Sequence, residues 1–191
     1  YLPACVRAYY ALRVCVFGPE STGKTTLATA LARYLRTTMV PEYARTYLER
    51  RGGELREGDL AEIAKGQAAW EDALAGNCDR ILVCDTDTLA TKIWSEALFG
   101  GVDSIVEQLA TNRCADLYLL CDVDIPWVPD SVRYLPENRR SFFERCRGAL
   151  EISGRHFAVI RGTGDERLLA ALAAIREHCG SDVARLPQLV G

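Results

Sequence analysis

Lysine is nearly missing from this chain of 191 residues: only Lys24, Lys65 and Lys92 stand among its 23 basic residues. The other basic residues are arginines, so each lysine marks a place where a compact ammonium group asks for a reason. A surplus of positive charge is missing too. Twenty-six acidic residues leave a net charge of −3, which excludes a strongly basic nucleic-acid binder. Histidine occurs only as His156 and His178, and the eight cysteines (5, 15, 78, 84, 114, 121, 146, 179) form no C-x-x-C pair, so a zinc site is not expected. No apolar run approaches the roughly 18 residues of a membrane span, and no secretory signal pattern is visible. The expectation is a cytoplasmic domain with no membrane and no nucleic acid as partner. What is present is the balance of a globular chain, 49% hydrophobic and 26% charged, of a length that fits one domain.

Short apolar runs alternate with stretches of helical period. The runs 13–17, 38–41, 80–84, 116–121 and 156–161 read as strands. Those around Val14, Leu82 and Leu119 are apolar almost throughout, as in strands covered on both faces. Helical patterns fill 24–36, 43–51, 59–75, 88–98, 103–111, 137–152 and 166–178. This alternation predicts an α/β fold with three layers, a parallel sheet carrying helices on both faces.

Gly18-Pro19-Glu20-Ser21-Thr22-Gly23-Lys24-Thr25 fits G-x-x-x-x-G-K-[ST] between a predicted strand and a predicted helix, with Thr26 following. Shuffling this composition would produce the pattern in roughly 0.2% of sequences. Backbone amides of such a loop and the helix N-terminus bind phosphates, so 18–26 is the expected ATP site. Lys24 is expected on the β- and γ-phosphates, and Thr25 as a ligand of Mg²⁺. Asp85 follows the apolar run 80–84 and is the expected second magnesium residue. Asp87 fits either a second acid of the site or the cap of the helix starting at Thr88.

What accepts the phosphate is a separate question. The guanine signature Asn-Lys-x-Asp is absent, and the chain is short for an oligomeric AAA-type motor. Phosphoryl transfer calls for charge neutralisation under a closing flap. The proline-bearing segment 126–140 is the expected lid, with Arg133, Arg139 and Arg140 as its catalytic candidates. Pro41-Glu42-Tyr43-Ala44-Arg45 ends the second strand, where ligands of such sheets sit. Glu42 can take a proton from an attacking hydroxyl; Tyr43 and Arg45 can bind the acceptor. The same residues can instead be a helix start, with Tyr43 in the core. Trp127 can stack on a flat ring or fill the core.

These pieces together resemble the ribosylnicotinamide kinase domain of bacterial NadR-like NAD-salvage proteins. The matching motifs are GPESTGKT at 18–25, EYAR at 42–45, Gly66-Gln67 in the long helix, DTD at 85–87 and Pro-Trp-Val-x-Asp-x-x-Arg at 126–133, across about 13–178. The resemblance implies a P-loop kinase fold that converts nicotinamide riboside and ATP to nicotinamide mononucleotide and ADP. It implies Trp127 against the nicotinamide ring, Glu42, Tyr43, Arg45 and Asp87 around the riboside, and the loop from Asp130 to Arg140 closing over the phosphates. Glu42 and Asp87 both remain candidates for the base. Residues 1–12 then read as a linker from an upstream nucleotidyltransferase domain, 13–180 as the kinase and 181–191 as an irregular tail. Two rivals stand beside this reading: another small-molecule or deoxynucleoside kinase, and a nucleotide-sensing domain without turnover.

Overall fold

The computed structural model describes residues 3–78, 80–127 and 138–180. Five strands form one parallel sheet: β1 (Leu12–Phe17), β2 (Met39–Val40), β3 (Ile81–Asp85), β4 (Leu117–Cys121) and β5 (Phe157–Ile160), in the order β2-β3-β1-β4-β5. The eight helices of the described residues are α1 (Ala4–Tyr10), α2 (Lys24–Leu35), α3 (Tyr43–Arg50), α4 (Asp59–Ala75), α5 (Thr88–Phe99), α6 (Ser104–Asn112), α7 (Arg139–Ile152) and α8 (Gly164–Cys179). None is long and apolar enough to cross a membrane.

The three layers follow from the two-residue period of the strands. Val14 and Val16, Ile81 and Val83, and Leu117 and Leu119 point to one face, where Leu27 and Leu31 of α2 and Leu172 and Ile175 of α8 cover them. Cys15 and Phe17, Leu82 and Cys84, and Tyr118 and Leu120 point to the other, under Leu89 and Ile93 of α5 and Phe142, Phe143 and Leu150 of α7. Both faces are dry, which is why these strands read as unbroken apolar runs.

Most expected elements stand within two residues of their places. The strand expected over 38–41 shortens to Met39–Val40, because Pro41 has no amide to continue the ladder. Within the expected linker 1–12, residues 4–10 form a helix, and Leu12 already belongs to β1. Asp130, Arg133, most of the expected lid and the expected tail 181–191 lie outside the described residues.

The contact of α3 with α4 positions the residues that follow β2. The Tyr43 ring lies on Gly66 and edge-on to Trp70, with centroids 4.9 Å apart. A methyl group on Gly66 would meet three Tyr43 ring carbons at 2.1 to 2.5 Å, so only glycine permits this approach. Gly66→Ala is expected to destabilise the domain by about 1–3 kcal/mol in chemical denaturation, and by clearly less in a Tyr43→Leu background.

Candidate active site

The loop between β1 and α2 needs its glycines at defined points. Gly18 has φ +128°, and a side chain there would meet the Cys121 carbonyl oxygen at 2.9 Å. Gly23 caps α2 in a left-handed conformation, from which Lys24 and Thr25 begin the helix. The carbonyls of the loop are bonded to side chains. Pro19 accepts from the Lys24 ammonium at 2.7 Å and from the Thr22 hydroxyl at 2.8 Å. Ser21 accepts from Arg139 at 3.0 Å, and Thr22 accepts from Arg167.

Asp85 closes the other side of the loop. It continues the parity of Ile81 and Val83, so it faces α2, and the Thr25 hydroxyl donates to its Oδ2 at 2.6 Å. Its Oδ1 is buried with no hydrogen-bond partner among the described residues. Burial raises the Asp85 pKa, while Lys24 and the Thr25 bond pull it down. A buried carboxylate oxygen awaiting a donor beside a threonine hydroxyl fits a magnesium ion held through water, which needs few protein ligands when phosphates supply the rest.

A pocket opens from the phosphate loop and runs on past Glu42 and Arg45 to α4 and α5. Gly18, Glu20, Ser21, Thr22, Gly23, Lys24, Thr25 and Thr26 line its first part. Pro19 contributes its carbonyl to the loop rather than a surface to the pocket. Glu42 stands at the N-cap of α3 but makes no capping bond, so its carboxylate is not spent on its own helix. Burial raises the pKa of Glu42; Lys24 opposes the shift and Asp85 adds to it. Arg45 lines the pocket and pairs with Glu49 at 4.0 Å.

The remaining expected residues are placed differently. Tyr43 turns away onto α4, the core alternative of its two readings, because Gly66 leaves a seat there. Asp87 lines the pocket, yet both its oxygens are engaged. Oδ1 accepts from the amides of Leu89 and Ala90 at the start of α5, and Oδ2 accepts from the Tyr118 hydroxyl at 2.6 Å. Its pKa is raised by burial against the pull of that hydroxyl and of Arg155. Arg139 donates to Ser21 and Ile125 carbonyls, and Arg140 pairs with Asp122 at 3.0 Å and Glu144 at 2.9 Å. Both arginines thus bind protein groups rather than line the pocket. Trp127 also lies off the pocket lining, with the Arg139 guanidinium 5.8 Å from its ring centroid.

Seven wall positions escaped sequence reasoning: Leu48, Leu55, Leu60, Ile63, Ala90, Thr91 and Trp94. Leu48, Leu60 and Ile63 supply an apolar end, and Trp94 is the one aromatic among the described lining residues. Trp94 is held against Phe142 of α7, their centroids 4.3 Å apart. Two helical turns separate it from Asp87, so the spacing from the DTD motif was a usable signal. Gln67, noted only within the Gly-Gln pair, ties the site together. Its Oε1 accepts the Tyr43 amide at 2.9 Å, and its Nε2 reaches the Thr86 carbonyl at 3.5 Å. Thr86 has φ +67°, an uncommon conformation for a β-branched residue, and its amide is held by the Val16 carbonyl.

Beneath the pocket Glu71 is 3% exposed and bonded to Arg113 at 3.2 Å. Burial and the Asp87 carboxylate push its pKa up to about 7, against the pull of Arg113. The folded state therefore holds this proton more tightly than the unfolded chain does, and stability falls as pH rises from about 4.5 to about 7. Glu71→Gln is expected to leave Tm nearly unchanged at pH 4.5 and to raise stability at pH 8 by up to about 3 kcal/mol. Thermal melts across that range check it.

Comparison with known proteins extends over this whole frame. The chain is 29% identical over 187 residues to the trifunctional NAD biosynthesis/regulator protein NadR of Escherichia coli (strain K12), a stretch covering 94% of this chain and 46% of that protein. The chain thus spans about half the length of the curated relatives it matches. A solved NadR in complex with NR superposes with TM-score 0.79 at 25% identity, covering 93% of this chain and 53% of that one. A NadR in complex with NAD and AMP-PNP gives 0.74 at 27%, covering 92% and 51%. Thymidylate kinase from Ehrlichia chaffeensis gives 0.59 at 18%, covering 87% and 98%, a likeness of fold. The fold is that of the P-loop kinases. A family model described as an AAA domain matches residues 13–167, from β1 into the first turn of α8, and the chain belongs to that family, AAA_28.

Proposed function

We propose that this domain is an ATP-dependent kinase acting on the 5′-hydroxyl of nicotinamide riboside, with nicotinamide mononucleotide and ADP as products. The observation that carries the reading is one continuous pocket joining the phosphate loop to a wall of carboxylate, guanidinium, amide and indole. A phosphate site alone would serve hydrolysis or sensing; this one opens onto a compartment suited to a small ring with hydroxyls. Likeness to a NadR solved with NR supports the acceptor, and likeness to one solved with AMP-PNP supports the donor.

In this reading the acceptor hydroxyl attacks the γ-phosphorus, the bond to the ADP oxygen breaks, and the hydroxyl proton passes to Glu42. Glu42 is preferred to Asp87 because the Asp87 oxygens are already engaged by amides and Tyr118. Burial raises the Glu42 pKa, the direction that strengthens a base. Lys24 leaves the Pro19 carbonyl for the phosphates. Magnesium, when bound, offsets phosphate charge, and Thr25 with Asp85 would hold it. Trp94, rather than Trp127, faces the acceptor ring, with Arg45 and Gln67 for its polar groups. Arg133 as a catalytic residue and Asp130 as a substrate-binding residue complete the proposal. The cytoplasm as the place of reaction and a nucleotidyltransferase as an attached partner belong to the same proposal, the latter supported by relatives about twice as long.

A panel of hydroxylated acceptors with Mg-ATP, read by product mass, is expected to yield phosphorylated nicotinamide riboside. Turnover of a deoxynucleoside instead, or nucleotide binding without ADP release, rejects the reading. Lys24→Ala should lower kcat about 100-fold or more. Trp94→Leu should raise the acceptor KM about tenfold, in line with base–aromatic stacking of about 1–3 kcal/mol, while Trp127→Leu leaves it near the wild-type value. The opposite ranking of the two variants returns the ring to Trp127.

A further inference from the structure

One side chain that binds the phosphate loop belongs to neither the donor nor the acceptor surface. Arg167, in the first turn of α8, is 5% exposed and does not line the pocket. Its Nε donates to the Gly162 carbonyl at 2.9 Å, and its Nη1 donates to the Thr22 carbonyl. Its Nη2 donates to the Asp122 carbonyl at 3.3 Å and to the Asp124 carboxylate. The other Asp124 oxygen accepts the Gly162 amide at 2.7 Å. One planar guanidinium therefore joins the loop after β4, the loop after β5 and the phosphate loop. A lysine has three donors on a single atom and cannot span those directions.

We infer that Arg167 is a positioning residue for the phosphate donor, fixing the Thr22 carbonyl and with it the loop on which Lys24 and Thr25 stand. The inference rests on the kinase reading for its donor, a nucleoside triphosphate, but not on the identity of the acceptor. A carbonyl turned toward a phosphate repels it, so a loop built to bind one must hold its carbonyls elsewhere. Of the three bonded this way, Pro19 is held by the loop's own Lys24 and Thr22, and Ser21 by Arg139 at the start of α7. Thr22 alone is held from α8, which is packed into the core through Ala171, Leu172 and Ile175. Thr22 also precedes Gly23, whose left-handed φ of +74° lets the 22–23 peptide turn if nothing fixes it. Arg167 thus supplies from rigid structure what glycine cannot supply for itself.

The test compares wild type, Arg167→Lys and Asp124→Asn. It measures magnesium AMP-PNP affinity by calorimetry, KM for ATP and for the acceptor, and Tm. Arg167→Lys is expected to weaken AMP-PNP binding and raise the ATP KM about tenfold or more, with the acceptor KM within twofold of wild type. Asp124→Asn, with a partly exposed carboxylate, is expected to move the same quantities in the same direction by a smaller factor, and carries the test if the lysine variant does not fold. Wild-type AMP-PNP affinity in the folded variants overturns the inference. So does a fall in Tm with both KM values changed alike, which is what a merely structural role would give. A wild-type protein that binds AMP-PNP but leaves nicotinamide riboside unphosphorylated rejects the proposed acceptor while the binding comparison still decides the role of Arg167. A wild type that does not bind AMP-PNP overturns both.

Discussion

A loop that cradles phosphate must dispose of its own carbonyl oxygens, and much of the architecture around residues 18–26 follows from that constraint. The Pro19 oxygen is taken by Lys24 and Thr22, the Ser21 oxygen by Arg139 and the Thr22 oxygen by Arg167. Two of these donors come from helices far along the chain, so the loop depends on α7 and α8 being in place. Burying such arginines is costly unless every donor finds an acceptor. Arg167 offsets much of that cost with four acceptors, drawn from three segments, for its five N–H groups.

The opposite side of the site depends on strand parity and on one glycine. Alternation along β3 sends Asp85 toward α2, and the Thr25–Asp85 bond then locks the start of that helix to the tip of the strand. One residue later Thr86 turns into the left-handed region, and Asp87 caps α5. That cap orients a helix whose one face carries Trp94 to the pocket while Leu89 and Ile93 enter the core. Gly66 meanwhile lets Tyr43 dock on α4, which leaves Glu42 at the pocket and Gln67 bonded to the segments that follow β2 and β3. Asp87 illustrates how a residue can belong to a functional motif and serve as scaffolding. Its carboxylate is spent on two amides and a tyrosine, and the geometry it fixes is what the site uses.

The fold was legible because its signals are local or periodic. Unbroken apolar strands, helices of 3.6 period and a glycine-lysine-threonine loop between them required no knowledge of distant contacts. The loop and the acid bonded to it were legible for the same reason, since Lys24 and Thr25 lie in one short motif and Asp85 ends one apolar run. The pocket wall beyond the loop was only half legible. Glu42 and Arg45 stood out by charge at a strand end, whereas Leu48, Leu60, Ile63 and Trp94 look like ordinary helix-face residues in any sequence. Trp127 drew attention by its setting between prolines, and Arg139 and Arg140 by their charge, but neither cue says which neighbour a side chain will meet.

By itself the sequence determined the layer order, the parallel strands, the phosphate loop and the acid beside it, because each is dictated by residue type at short or regular spacing. Tertiary structure alone decided which carboxylate lined the pocket without capping its helix, which indole faced the pocket and which arginines served the loop from behind. Those outcomes turn on competition among partners brought together by folding. Tyr118 and two amides claim Asp87, Asp122 claims Arg140, and Thr22 claims Arg167 across separations of 31, 18 and 145 residues. No local pattern records such competition, since its result is fixed only when all the competitors have reached their places.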